Sequence, residues 1–262
     1  MQPARPLELA VLADELGFDL IGVQDHPYQR RFYDTWMLLT AIAMRTKHVT
    51  VFPDVANIQL RPPAILAKSA ATLDLLSGGR VQLGLGAGAA SIAAAIRGIG
   101  GPGRTAGESV SALEEAIQVI RLMWSGERSV SFDGRFYRLA GVHPGPMPGH
   151  PIGIWLGAYR PRMISLVGRA ADGWVPSFGY LQTSDLDALN ERIDDEARNA
   201  GRDPLAIRRV LNVGEQTAEL LVELTLEHGM DTFIVSGEEP DAMRRFAAEV
   251  APAVREAVAK AR

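Results

Sequence analysis

The chain of 262 residues contains no cysteine. This absence excludes disulfide bonds, thiolate metal ligands and a thiol nucleophile, and it agrees with a cytoplasmic location, which we expect. Aromatic residues are also few, at 6% of the composition, whereas hydrophobic residues reach 47% and charged residues 22%. These proportions are typical of a folded globular chain and exclude a disordered one.

Long apolar runs and an excess of positive charge are missing as well. No run approaches the ~20 apolar residues that a membrane-spanning helix needs. Asp14 and Glu15 interrupt the apolar stretch near the N-terminus, so we expect no signal peptide there. The 27 Lys and Arg residues are outnumbered by 31 Asp and Glu residues, which argues against binding to a phosphate backbone. We therefore expect neither a membrane nor a nucleic acid as a partner.

Histidine is scarce too, with five residues in the chain. The two that lie closest in sequence, His143 and His150, belong to a loop rich in glycine and proline. No pair of histidines forms a metal-ligand pattern at helical spacing. We predict no metal site.

Short β-branched segments alternate with amphipathic helical segments, which is typical of a parallel sheet covered by helices. Seven strands are predicted, at residues 20–24, 49–52, 81–85, 153–156, 173–175, 209–213 and 232–235. Helix signals lie between them: Asp34 as an N-cap, Pro63 as a first residue, and Thr105 with Glu108 as a capping box. No linker separates two cores, so residues 1–262 are predicted to form one domain.

Two segments depart from this alternation. Residues 129–139, with Asp133-Gly134 between aromatic flanks, predict a β-hairpin. The hairpin and the Gly/Pro-rich loop at 141–151 together form an insertion over about residues 128–151. The predicted first helix, at residues 7–16, precedes the first predicted strand. We therefore expect the chain to start inside a βα unit, with the first strand missing.

Polar and glycine residues follow nearly every predicted strand, for example Asp25-His26, Gly86-Ala87-Gly88 and Gly157-Ala158-Tyr159. In a β/α barrel these positions lie on one rim, where active sites are found, whereas an open sheet concentrates them at one switch point. We therefore predict an α/β fold of the TIM type, a (β/α)8 barrel with the inserted hairpin.

The segment from Gly84 to Ala89 has the G-x-G-x-x-A spacing of a dinucleotide-binding turn. No second strand closes a βαβ unit of ~30 residues after it, and no acidic residue ends such a unit, so a Rossmann site is not expected. A turn that contacts a ligand and a purely structural turn both stay open, and we favour the former because glycine lets a flat ligand approach the backbone.

His26 follows the first predicted strand directly, where a histidine on a barrel rim is more often catalytic than structural. Asp25 points to the opposite side of an extended chain, so we expect it to fix the loop. Pro53 and Asp54 end an otherwise apolar strand, which indicates either a bulge or a simple strand end. A helix is predicted to start at Pro161, directly after Arg160. Its N-terminus indicates either a phosphate site or a solvated turn.

These residues together resemble the bacterial luciferase-like monooxygenase superfamily, in its branch that uses the deazaflavin F420. The resemblance covers nearly the whole chain. It rests on these segments occurring in this order: LAVLADELGFDLIGVQDH, RPPAILAKSAATLDLLSGGRVQLGLGAG, ALEEAIQVIRLMWSG, DGRFYRL, PIGIWLGAYRPRM and AADGW.

The resemblance implies a barrel that holds the cofactor ring at the carboxyl ends of the strands. It implies a non-prolyl cis peptide at Pro53–Asp54 or Asp54–Val55 behind the ring, a catalytic role for His26 near the hydride-transferring carbon, and a homodimer. The cofactor-binding residues that it implies are Asp54, Val55 and Ala56, then Gly86, Ala87 and Gly88, and finally Gly157, Ala158 and Tyr159 at the cofactor phosphate.

The resemblance also predicts the chemistry, which is hydride transfer between F420 and a small organic substrate. Some F420 dehydrogenases carry a Glu just after the glycines of the fourth strand, where this chain has Ala89 and Ala90. Sugar-phosphate oxidation of that kind is therefore not expected. Two alternatives stay open: an FMN-dependent monooxygenase of the same family, and a cofactor-binding protein without turnover.

Overall fold

The computed structural model describes residues 4–262 as alternating helices and strands. The helices are α1 Arg5–Glu15, α2 Thr35–Arg45, α3 Pro63–Ser77, α4 Ala93–Gly98, α5 Ala106–Met123, α6 Pro161–Ala170, α7 Leu186–Asn199, α8 Ala218–Leu226, α9 Pro240–Arg245 and α10 Ala251–Ala261. The strands are β1 Leu20–Val23, β2 Thr50–Pro53, β3 Ala56–Asn57, β4 Leu83–Gly86, β5 Val130–Asp133, β6 Arg138–Val142, β7 Ile154–Leu156, β8 Gly173–Trp174, β9 Arg208–Asn212 and β10 Thr232–Ile234.

The seven predicted parallel-sheet strands are all present, each within two residues of its predicted ends. The short strand β3 was not predicted. The predicted helix signals are confirmed: Asp34 Oδ1 accepts from the N–H of Met37 at 3.0 Å, α3 starts at Pro63, and Thr105 and Glu108 form the capping box of α5. Within residues 4–262, no helix has both the length and the apolar character needed to cross a membrane.

The chain divides into two compact units. The first unit consists of the chain up to Ile21, Arg45–Thr50 and Ala158–Arg262, and the second unit consists of Gly22–Met44 and Val51–Gly157. The single domain over the whole chain stays a prediction.

The second unit contains parallel strands in the order β3, β4, β7. Ala56 is paired with Leu85, and Leu83 is paired with Ile154. Helices α3 and α5 pack against each other, and their buried residues include Leu66 and Leu113, both without exposed surface. Burial of such apolar side chains on one face of each helix is the main stabilising term of this unit.

The first unit contains parallel strands in the order β8, β9, β10, with Gly173 paired with Arg208 and Thr232 paired with Val210. Helices α6 and α7 pack against each other. A π-helical segment, Phe246–Val250, joins α9 to α10. Pro252 follows it in the first turn of α10, where a residue without an N–H is tolerated.

The hairpin differs from its prediction in two ways. Strand β6 runs to Val142, three residues beyond the predicted end, and the loop spans residues 134–137 instead of turning at Asp133-Gly134. The cause is Glu115 of α5, whose carboxylate accepts from the N–H groups of Arg135, Phe136 and Tyr137 at 2.8–3.1 Å. A carboxylate that accepts three backbone N–H groups stabilises a wider loop than a two-residue turn.

The Gly/Pro-rich loop is fastened by Asp74, a carboxylate without exposed surface on α3. Its Oδ2 accepts from the N–H groups of Gly149 and His150 at 2.8 and 3.1 Å, and its Oδ1 lies 2.7 Å from His150 Nδ1. A buried carboxylate needs such partners, so this loop is held in one place without secondary structure of its own.

Candidate functional site

Four of the predicted site segments lie together in the second unit. The N–H of Asp54 donates to the Val23 carbonyl at 2.8 Å, just before Asp25-His26. Ala56 is paired with Leu85, one residue before Gly86, and the N–H of Gly157 donates to the Leu85 carbonyl at 3.1 Å. Parallel strands place their carboxyl ends at the same edge, so these segments meet there.

Asp25 fixes the segment that carries His26, as predicted. Its carboxylate is 2% exposed, accepts from the Arg61 guanidinium at 3.0 Å and accepts from the N–H of Asn57 at 3.2 Å. Arg61 also pairs with Asp34 at 2.6 Å. A buried carboxylate is stable only while its charged partner and its backbone donor stay in place. Asp25 therefore ties the start of the His26 loop to strand β3.

His26 itself is half-buried between aromatic rings. Its Nδ1 lies 2.6 Å from the hydroxyl oxygen of Tyr28, and the Phe32 ring contacts its edge at a centroid distance of 5.3 Å. The Tyr28 hydroxyl can either donate to Nδ1 or accept from it. Nε2, the other ring nitrogen, can present either a lone pair or an N–H.

Burial lowers the pKa of His26 below 6.5, although the negative charge of Asp25 acts in the opposite direction. Burial also raises the pKa of Tyr28 above 10.0, and Asp25 adds to this effect. His26 is therefore neutral and Tyr28 protonated near neutral pH. A neutral imidazole is the form that can accept a proton.

The peptide bond between Asp54 and Val55 is cis, at one of the two places that the resemblance implies. This turn packs directly on strand β4. A Cβ at Gly86 would lie 2.8 Å from Val55 Cγ2, and the Pro53 carbonyl oxygen occupies the place of a side chain at Gly84. These two glycines thus make room for the protein's own turn. The sequence interpretation left a ligand-contacting turn and a structural turn open and favoured the former.

Gly88 has a similar explanation. Its φ of +84° is in the left-handed region, and a Cβ there would lie 2.5 Å from Gln59 Nε2 and 3.0 Å from Asn57 Oδ1. Asn57 Oδ1 accepts from the N–H of Gln59 at 3.0 Å, which fixes the orientation of the Asn57 amide. Asn57 Nδ2 is buried and has no partner among the described residues. An unpaired hydrogen-bond donor, Asn57 Nδ2, therefore lies beside Gly88.

The first unit holds Ala158 and Tyr159. The Ala158 carbonyl accepts from the Trp174 indole at 2.9 Å, and the Tyr159 hydroxyl accepts from the N–H of Ser177 at 3.0 Å. The next helix, α6, starts at Pro161 after an exposed Arg160, and no side chain caps its N-terminus. Such an N-terminus leaves backbone N–H groups for an anion.

Metal-ligand residue types meet elsewhere in the first unit. One ligand atom from each of Glu223, Glu227 and His228 lies within 4.8 Å of the others. The two glutamates are exposed, and the His228 ring is already bonded to Asp187 at 2.7 Å. This group shares no residue with the predicted site.

Sequence reasoning missed two residues of this site, Gln59 and Arg61. Both belong to the turn between β3 and α3, and both hold other segments through side-chain hydrogen bonds. A local signal exists in NIQLRPP, where polar residues alternate with apolar ones after a strand end. Without the fold, that signal does not distinguish a buried bonding residue from an exposed one.

The titration of His26 tests this environment. We expect a pKa below 6.5 in the folded protein, and a lower value still in Asp25→Asn, which removes the opposing charge. The unfolded chain then binds the proton more tightly, so His26 destabilises the fold as pH falls from 6.5 towards the folded pKa. NMR titration of the His26 ring protons measures both values, and a wild-type pKa at or above 6.5 would contradict the described burial.

Two curated proteins with known functions are similar in sequence. The F420-dependent glucose-6-phosphate dehydrogenase of Nocardia farcinica is 32% identical over 219 residues, which are 80% of this chain and 64% of that protein. The chain thus spans less than two thirds of that relative's length. The 5,10-methylenetetrahydromethanopterin reductase of Archaeoglobus fulgidus is 29% identical over 255 residues, which are 94% of this chain and 71% of that protein.

A solved structure is similar in fold. An F420-dependent secondary alcohol dehydrogenase in complex with an F420–acetone adduct superposes with a TM-score of 0.80 at 20% identity, over 97% of this chain and 96% of the other. This similarity confirms the predicted α/β fold class. The sequence profile of the luciferase-like monooxygenase family matches residues 1–220. The chain therefore belongs to the luciferase-like monooxygenase family.

Proposed function

We propose that this protein is an F420-dependent oxidoreductase, which transfers a hydride between the deazaflavin and a small organic substrate. The observation that carries the proposal is the packing of the Asp54–Val55 turn on the glycines of β4, with His26 tied to the same strand end through Asp25. Family membership supports the cofactor class, because the Nocardia farcinica relative is named for F420.

The residues of this edge fit a flat, acceptor-rich cofactor ring. Asn57 Nδ2 is a buried donor in need of an acceptor, and the ring carbonyls of a deazaflavin are acceptors. In the second unit, the residues that would hold the cofactor ring are Asp54, Val55, Ala56, Gly86, Ala87 and Gly88. For the cofactor phosphate, the family resemblance implies Gly157, Ala158 and Tyr159. In the first unit, Arg160 and the N-terminus of α6 follow Tyr159 and offer positive charge to an anion.

His26 supplies the proton chemistry. When bound, the deazaflavin provides the carbon that exchanges the hydride. In oxidation of an alcohol, His26 Nε2 accepts the hydroxyl proton as the hydride leaves the adjacent carbon. In reduction of a carbonyl, Nε2 returns that proton to the oxygen. Tyr28 serves both directions, because its hydroxyl donates to Nδ1 in one tautomer of His26 and accepts from it in the other.

The substrate is small, and this chain lacks the Glu that some F420 dehydrogenases carry just after these glycines. Ala89 and Ala90 stand there and are exposed. Sugar-phosphate oxidation by that route therefore does not belong to the proposal.

The absence of cysteine supports a cytoplasmic enzyme.

Titration with both cofactors tests the proposal. We expect F420 to bind at least about ten-fold more tightly than FMN, because its longer anionic tail can use Arg160 and Arg162 in addition to the helix N-terminus, at about 1 kcal/mol per exposed contact. Fluorescence quenching of each cofactor gives the two dissociation constants.

Micromolar FMN binding without measurable F420 binding would reverse this ranking and favour the FMN-dependent monooxygenase. Tight F420 binding without turnover on any alcohol or carbonyl compound would favour the cofactor-binding protein. Arg160→Ala is the control for the tail, and it should weaken F420 more than FMN.

A homodimer is the second part of the proposal. Helices α2 and α3 of the second unit line a groove of about 310 Å³. Apolar side chains stand exposed around it, with Met37 at 68%, Ile65 at 53% and Leu76 at 61%. Exposed apolar side chains gathered around one groove are typical of an interface. We assign it to a second copy of this chain, as the family resemblance implies.

A charge in this groove should separate the copies. In a two-fold interface each substitution acts twice, so Leu76→Glu buries two unpaired carboxylates and should raise the dimer dissociation constant about a hundred-fold or more. Analytical ultracentrifugation measures it. The matched control is Leu205→Glu, since Leu205 is 93% exposed and lies outside the groove. A monomeric wild type, or a Leu76→Glu variant as dimeric as the control, would contradict the assignment.

A further inference from the structure

Gln59 is a buried residue whose side chain bonds three separate segments of the second unit. It is 5% exposed. Its Nε2 donates to the Ala87 carbonyl at 3.0 Å and to Ser109 Oγ at 3.1 Å, and its Oε1 accepts from the N–H of Arg104 at 2.8 Å. Both amide hydrogens and the carbonyl are used, so the orientation of the carboxamide is fixed.

The first of these segments is the turn that we propose to hold the cofactor ring. Ala87 is the middle residue of that turn, and Gly88 leaves the space that Gln59 fills, since a Cβ there would lie 2.5 Å from Gln59 Nε2. Through its own N–H, Gln59 also orients the Asn57 amide at 3.0 Å. Gln59 therefore fixes both the backbone of the turn and the orientation of the unpaired Asn57 donor beside it.

The second segment leads to the hairpin. The Arg104 guanidinium lies 5.4 Å from the ring centroids of both Phe136 and Tyr137, and it donates to the Tyr137 hydroxyl at 3.3 Å. Glu115 holds the backbone of the same hairpin loop. The third segment is α5, reached through Ser109. The turn at Ala87 is thus fastened to the hairpin and to a long helix by one carboxamide.

We propose that Gln59 is a positioning residue of the cofactor site, which holds the Ala87 carbonyl and the Asn57 amide in the arrangement that binds the cofactor ring. The inference rests on the proposed function. Gln59 does not touch the reacting atoms. It acts through the turn. Two hydrogen bonds donated by its Nε2 and one accepted by its Oε1 restrict the backbone conformations that a glycine-rich turn would otherwise adopt.

The test compares cofactor affinity with stability in three variants. Gln59→Leu keeps the approximate volume and loses all three side-chain bonds. Ser109→Ala removes only the bond to α5. Asp74→Ala is the stability control, because it frees the Gly/Pro-rich loop, which shares no residue with the cofactor turn. For each, the F420 dissociation constant is measured by fluorescence quenching and the melting temperature by circular dichroism.

We expect Gln59→Leu to raise the F420 dissociation constant at least ten-fold. Ser109→Ala should change it less than three-fold, and Asp74→Ala should lower the melting temperature while F420 binding stays within two-fold of wild type. Hydrogen exchange at the N–H of Arg104 should be faster in Gln59→Leu, since that bond is lost.

If Gln59→Leu does not fold, Gln59→Glu replaces it. That variant keeps an acceptor for Arg104 and loses the donor to Ala87, and the same ten-fold weakening is expected. F420 binding by the Gln59 variant within two-fold of wild type overturns the inference alone, as does an equal weakening in Asp74→Ala. A wild-type protein that binds neither F420 nor FMN overturns the proposed function together with the inference.

Discussion

The buried carboxylate of Asp25 is the interaction on which the rest of the candidate site depends. Its charge is stable in the interior only because Arg61 and the N–H of Asn57 compensate it. Arg61 in turn pairs with Asp34, which caps α2. The chain of contacts therefore sets the end of β1, the short strand β3 and the start of α2 together, and His26 takes its place as the neighbour of Asp25.

The glycines in and just after β4 show how the fold shapes the candidate site. Gly84 and Gly86 let the Asp54–Val55 turn approach the strand, and Gly88 admits the Gln59 carboxamide. The protein fills the space that the missing side chains leave. What a cofactor would meet is a surface formed by backbone, held from behind by side-chain hydrogen bonds. A ligand that binds there orders little of the protein, so little binding free energy is lost to conformational entropy.

Much of the fold could be predicted because it depends on local patterns. β-branched runs, Pro63 at a helix start and the Thr105–Glu108 capping box each act within a few residues, and each appears where it was predicted. The widened hairpin loop could not be predicted, because Glu115 lies about 20 residues away in sequence. Gln59 likewise acts on Ser109, 50 residues distant, and no periodicity encodes such a contact.

The candidate site divides in the same way. His26 and the Gly86–Gly88 turn follow strand ends, where polar and glycine residues interrupt an apolar pattern, so their positions could be predicted from the sequence. The cis peptide at Asp54–Val55 was implied only by the family resemblance, as one of two possible bonds. The hydrogen bonds and the burial of these residues could not be predicted from the sequence. The hydrogen bond between Tyr28 and His26, and the burial that lowers the pKa of His26, depend on how a loop folds back on itself.

The most direct test of the account is the rate of hydride transfer to F420 in His26→Ala and His26→Asn, followed by the loss of F420 absorbance with a substrate found by screening small alcohols. A positioned acid or base contributes roughly 10²–10⁴-fold, so both variants should lose turnover by about that factor while F420 affinity changes little. The Asn variant keeps a hydrogen-bond donor but cannot titrate. Full activity in His26→Asn would contradict the account and leave His26 an orienting residue.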